Sequence, residues 1–145
     1  YIMGNGKEEN TLKNLVKNLD LEGMIIFLQD PIPNSEMPQV YNECDIYIQP
    51  SVVEPYGIAV LEAMACGKPV IGTKVGGMLD TIKDGETGFL AEPMSSEDIA
   101  EKITLLKNKN IRYDMGMKAR CRAVEAFDWA KIGLTYDNLI KELYC

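Results

Sequence analysis

The chain contains no histidine, which removes the commonest general base and the commonest transition-metal ligand from every mechanism open to it. Its cysteines, Cys44, Cys66, Cys121 and Cys145, form no C-x-x-C pair, which argues against a zinc site or a disulfide framework. They read as reduced thiols of a cytoplasmic protein, about two or three of them buried. No apolar run approaches the roughly 18 residues that a bilayer span needs, and no basic segment precedes a cleavable apolar stretch at the N-terminus. Positive charge is scarce as well. The 15 Lys and Arg face 22 Asp and Glu, and the net charge of -7 argues against nonspecific binding to nucleic acid or to an anionic membrane surface. Any anionic ligand must therefore be held by local geometry. There is no internal repeat, low-complexity stretch or linker, so residues 1–145 read as a single domain. The apolar start Tyr1-Ile2-Met3-Gly4, with no polar tail before it, is expected of a piece of something longer.

What is present suits one globular domain: 145 residues, 46% hydrophobic and 26% charged. Short β-rich runs at 1–3, 24–28, 45–49, 69–72 and 88–90 alternate with helical patterns at 8–19, 36–43, 57–66 and 78–83. That alternation predicts βαβ units and a parallel sheet covered on both faces. In the first helical pattern Leu12, Leu15, Val16 and Leu19 share one face, which is expected to lie on the sheet. Ser35-Glu36 and Ser95-Ser96-Glu97-Asp98 look like helix caps, and from Ser95 onward the pattern is helical to the end.

The segment Glu54-Pro55-Tyr56-Gly57-Ile58-Ala59-Val60-Leu61-Glu62-Ala63-Met64-Ala65-Cys66-Gly67-Lys68-Pro69-Val70 is the most informative. Between Gly57 and Gly67 only Glu62 is charged, so this helix is expected to be buried nearly all round. A buried carboxylate needs a nearby cation or amide, a proton, or a ligand. Pro55 keeps Glu54 out of helical angles and hence in the loop after a strand. Glu62 falls in the second turn of the helix, where side chains lean toward the N-terminus. Both carboxylates can therefore face one crevice beyond the C-terminal end of a parallel strand, where open α/β sheets bind ligands. A helix start at Gly57 offers unpaired N–H groups to a phosphate, and carboxylates on either side accept from hydroxyls. A sugar nucleotide has that combination of groups.

The E-x7-E pair in E-P-Y-G-I-A-V-L-E-A-M-A-C-G-K-P-V resembles the signature of the retaining GT-B glycosyltransferases of the large family 4 group. The likeness runs in order through Gly4-Asn5-Gly6, Ile25-Ile26-Phe27-Leu28, Cys44-Asp45-Ile46-Tyr47-Ile48-Gln49-Pro50-Ser51, Val75-Gly76-Gly77 and Asp84-Gly85-Glu86-Thr87-Gly88-Phe89-Leu90. It implies an α/β Rossmann-like parallel sheet flanked by helices, the C-terminal, donor-binding half of a GT-B fold, with a C-terminal helical cluster. It further implies that Glu62 accepts from the nucleotide ribose and that Glu54 contacts the donor hexose as the catalytic positioning group. Tyr56, Gly57 and Ile58 would meet the sugar and diphosphate, Ile32 the base, and Gly4 the turn facing the donor. The connection Gln29-Asp30-Pro31 is one residue longer than the usual one. The substrate implied is a UDP- or GDP-hexose, with no cofactor and no metal. The family's diphosphate-binding Arg and Lys lie upstream of Tyr1, as does the acceptor domain, the half through which a peripheral membrane contact would run. Alone, the chain is expected to bind donor weakly and to transfer nothing. The rival functions are a nucleotide-sugar-binding module without catalysis and, less well supported, an epimerase of similar architecture.

Other features have structural readings. Gly4-x-Gly6 lacks the third glycine of a dinucleotide fingerprint and reads as a tight turn. Gly76-Gly77 either brings a backbone close to the donor or makes a plain turn. Asp45 is expected to bond neighbouring backbone, Phe127 and Trp129 to pack the last helix, and Met64, Met115 and Met117 to fill the core. Residues 102–109 read as a solvated helix face. The last helix, with Ile132, Tyr136, Leu139 and Leu143, resembles the family's terminal helix that crosses to the other domain, so this face is expected to be exposed.

Overall fold

A computed structural model describes residues 1–144; Cys145 lies outside them. The chain falls into two compact units, Tyr1–Glu36 and the remainder from Met37. In the first, β1 (Ile2–Met3) runs parallel to β2 (Phe27–Leu28), with α1 (Glu9–Asn18) between them in sequence. Gly4 N–H donates to Leu28 O at 3.0 Å and extends this ladder by one bond. Lys13 pairs with Glu9 at 2.7 Å and lies over the Phe27 ring. The expectation that the α1 stripe lies on a sheet is not met: Leu12, Leu15 and Leu19 are exposed and only Val16 is half-buried. Two-residue strands are too short to cover a helix face of three turns.

The second unit holds α2 (Met37–Glu43), β3 (Tyr47–Gln49), α3 (Ile58–Ala65), β4 (Val70–Thr73), α4 (Met78–Thr81) and β5 (Gly88–Ala91). They are followed by α5 (Ser96–Leu105), α6 (Lys109–Ala126) and α7 (Trp129–Tyr144). The strands form a parallel sheet in the order β3-β4-β5, in register Ile48↔Ile71 and Ile71↔Phe89. Along β4, successive side chains enter different clusters. Val70 joins Tyr41, Val60, Met64, Met78, Ala119 and Ala123, whereas Ile71 joins Ala91, Leu106 and Met115. That alternation is the mark of a sheet covered on both faces, and it explains why β4 reads as a continuous apolar run. Here the expected βαβ architecture with its C-terminal helices is present.

The chemistry of the caps accounts for several boundaries. Ser95 Oγ accepts from Asp98 N–H at 3.2 Å and starts α5, as its sequence implies. Asn108 Oδ1 accepts from the N–H groups of Asn110 and Ile111 and starts α6, so the stretch 102–109 is a helix end and a turn rather than one helix face. Arg112, Arg120 and Arg122 all lie on α6 and donate to carbonyls of Leu106, of Ala65, and of Asp80 and Thr81. They thereby satisfy the C-terminal carbonyls of α5, α3 and α4, where the helix dipole favours a cation.

Other expectations are corrected. Asp45 pairs with Arg112 at 2.9 Å instead of bonding neighbouring backbone. Met64 and Met115 are core residues, but Met117 is exposed. Cys44 and Cys66 are only half-buried and Cys121 is exposed, all with free thiols. Trp129 is 78% exposed and packs nothing in place, while Phe127 is half-buried beneath the Arg122 guanidinium. On α7, Tyr136, Leu139 and Leu143 are exposed as anticipated, whereas Ile132, expected on the same face, is half-buried. Among the described residues no helix is long and apolar enough to cross a membrane, and no three metal-ligating side chains cluster.

Candidate functional site

The site is built where β3 runs out into the loop that feeds α3. Beyond Gln49 and Pro50 the chain turns through Glu54, Pro55 and Tyr56 and enters α3 at Gly57, whose φ of 84° lies in the left-handed region that glycine adopts most freely. No side chain caps the helix at Gly57. The N–H groups of Ile58, Ala59 and Val60 therefore lack intrahelical partners at the positive end of the dipole.

Glu54 is half-buried and braces this turn. Its Oε1 accepts from Gly57 N–H at 3.0 Å and its Oε2 from Ser51 Oγ at 3.3 Å. The chain of bonds continues back into the sheet: Gln49 Nε2 donates to Ser51 Oγ at 3.0 Å, and Tyr47 Oη donates to Gln49 Oε1 at 2.6 Å. Burial, reinforced by the Glu62 and Glu54 carboxylates, pushes the Tyr47 phenol up to about 12, so it remains a donor at neutral pH. Each Glu54 oxygen keeps a second lone pair for a ligand hydroxyl.

The loop is also held from behind. Gly77 N–H donates to Glu54 O at 3.1 Å, and a Cβ at Gly76 or Gly77 would sit 2.0 Å from Glu54 O or 2.6 Å from Tyr56 Cα. Gly76-Gly77 form the turn into α4, one of the two roles open to them, and the close approach they permit is to the Glu54–Tyr56 backbone of the chain itself.

Glu62 is not where its sequence context suggests. It is exposed, as is Ile58 one turn before it at 58%, because the α3 face carrying both is left uncovered while Val60, Ala63 and Met64 turn inward. The expectation of a helix buried nearly all round is corrected accordingly. The open face forms one wall of a cleft of about 270 Å³ lined by Tyr56, Ile58, Leu61 and Glu62 on one side and by residues from Ala123 to Ile132 on the other. Tyr41, 3% exposed on α2, donates its hydroxyl to Glu62 Oε2 at 2.8 Å.

Of the predicted site residues, Glu54, Tyr56, Gly57, Ile58 and Glu62 thus gather around the start of α3. Gly4, exposed with φ of 121°, and Ile32, half-buried beyond β2, belong to the first unit. Tyr41, Tyr47, Gln49 and Ser51 were not singled out from sequence. The available signal was weak: a tyrosine in an otherwise apolar helix face, and polar side chains at the C-terminal end of a half-buried strand, each of which must find a partner.

Comparison with known proteins adds to this geometry. The sequence profile of the family described as "Glycosyl transferases group 1" matches residues 1–122. N-acetyl-alpha-D-glucosaminyl L-malate synthase of Bacillus anthracis is 36% identical over 139 residues, covering 95% of this chain and 36% of the synthase. Sucrose-phosphate synthase from Thermosynechococcus elongatus superposes with a TM-score of 0.86 at 31% identity, over 96% of this chain and 35% of that one. Anabaena Alr3699/HepE, solved in complex with UDP-glucose, superposes with a TM-score of 0.85 at 27% identity, over 97% of this chain and 40% of that one. The chain spans between about a third and two fifths of these relatives.

Proposed function

Because the chain belongs to the glycosyl transferases group 1 family, we propose that it binds a nucleoside diphosphate sugar and supplies the donor half of a retaining hexosyltransferase. The observation that carries this reading is the placement of Glu54 and Glu62 on either side of the uncapped start of α3, at the C-terminal edge of a parallel sheet. The unpaired N–H groups of Ile58, Ala59 and Val60 meet the diphosphate, Glu62 accepts from the ribose hydroxyls, and Glu54 accepts from the hexose. Tyr56 and Ile58, both exposed, flank the sugar. The acceptor domain is supplied by residues outside this chain, and the enzyme works in the cytoplasm, at the cytoplasmic face of a membrane where the acceptor is a lipid.

Within this scheme the chain orients the donor and stabilises the departing diphosphate, while the acceptor hydroxyl attacks from the leaving-group face. Glu54 fixes the hexose; its own orientation is set by Gly57 N–H and Ser51. Bound UDP-glucose in the Anabaena relative supports the ligand class.

The test is a calorimetric titration of the chain with UDP, GDP, UDP-glucose and GDP-mannose, beside Glu62→Ala. We expect one base to be preferred, with binding lost in the variant. The reading fails if the variant binds the preferred nucleotide as tightly as the unaltered chain. A chain that binds donor but never supports transfer when joined to an acceptor domain would instead be a non-catalytic binding module.

A further inference from the structure

Glu62 is an exposed glutamate whose carboxylate would swing freely on its helix were it not held from one side. The holding group is Tyr41, which lies on a different helix, 21 residues earlier, and is itself almost wholly buried. Its ring sits edge-on to Tyr47, with centroids 5.6 Å apart, inside the cluster that includes Val60, Ala63 and Met64 of α3. Ring and helix are therefore set in the same core, and the phenol oxygen reaches out of it to meet Glu62 Oε2 at 2.8 Å. Tyr41 does not line the cleft; Glu62 does. Tyr41 is the donor that the described residues supply to this carboxylate, which leaves Oε1 without one. Burial and the adjacent Glu62 charge raise the affinity of the phenol for its proton, so Tyr41 stays a donor.

We infer that Tyr41 is a positioning residue: it clamps one oxygen of Glu62 from the core side, so that the other oxygen is presented, already oriented, to a paired hydroxyl of the ligand. The inference rests on the donor-binding reading for the identity of that ligand, a ribose diol, but not for the clamp itself. The gain is preorganisation. A side chain ordered before binding need not lose its rotamer freedom when the ligand arrives. Glu62 supplies the acceptor, and Tyr41 decides where it points.

Two readouts of Tyr41→Phe, which keeps the buried ring and deletes only the hydroxyl, test this. The first needs no ligand: three-bond carbon–proton couplings of the Glu62 side chain report one rotamer in the unaltered chain and averaged rotamers in the variant. The second is affinity for UDP and for its 2′,3′-dideoxy analogue. UDP binds about tenfold more weakly to the variant, as the loss of one ordered side chain implies, and the dideoxy analogue binds both proteins alike. A structural role alone would move the melting temperature and both ligands together. Unchanged Glu62 couplings, or equal loss for UDP and the dideoxy analogue, would overturn the inference. The couplings decide the clamp whether or not the chain binds a nucleotide, so failure of the donor reading is distinguishable from failure of the clamp.

Discussion

At the scale of single residues, Glu54 is oriented by neighbours three positions away, whereas Glu62 and the Glu54–Tyr56 backbone meet partners about twenty residues distant. Gly77 illustrates how tightly. Its backbone lies against Tyr56 so closely that an added methyl would meet Tyr56 Cα and O at 2.6 Å, and neither atom belongs to a flexible side chain. Gly77→Ala should therefore push the Glu54–Tyr56 loop away from the turn before α4 and destabilise the chain by about 1–3 kcal/mol, read from urea unfolding. Glu54 and Glu62 were visible in the sequence as a spaced pair, yet their surroundings were not. Charge isolation within an apolar stretch suggested a buried Glu62, but composition records what a residue is beside along the chain. It does not record whether the helix face it occupies is covered. The uncovered face, Ile58 and Glu62, looks into the cleft.

At the scale of elements, local chemistry marked the start of α5 at Ser95 but not that of α6 at Asn108, which lies in a stretch read as one helix face, and it said little of lateral packing. Ser95 and Asn108 cap α5 and α6 by accepting backbone N–H groups within three residues, an interaction that depends on nothing remote. Asn108→Ala should lower stability by about 1 kcal/mol and fray the first turn of α6, measured by denaturant unfolding and by hydrogen exchange at Ile111. The amphipathic stripe of α1 was equally legible, but its burial was not, since the strands of its unit are only two residues long. The same holds for Trp129. A large aromatic at a helix start suggests packing, and the turn from α6 into α7 leaves it in solvent.

At the scale of the whole molecule, α7 contributes no buried residue and presents Trp129, Leu134, Tyr136, Leu139, Ile140 and Leu143 to solvent. A chain ending at Asp128 should keep its cooperative unfolding, with a melting temperature lowered by no more than about 4 °C, the equivalent of about 1 kcal/mol in a domain of this size. It should also bind less of a hydrophobic dye, because the exposed apolar face goes with the helix. A large loss of cooperativity would show that α7 supports the sheet after all. By itself the sequence determined the order of strands and helices, the Ser95 cap, the family and the two carboxylates, because periodicity, turn chemistry and motif spacing act over a few residues at a time. Only the tertiary structure decided that Tyr41 meets Glu62 and that Gly76 and Gly77 lie against the Glu54–Tyr56 loop. Those contacts join segments about twenty residues apart. They exist because the sheet and the helices on its faces pack to one density, which brings these segments together in a way no local pattern encodes.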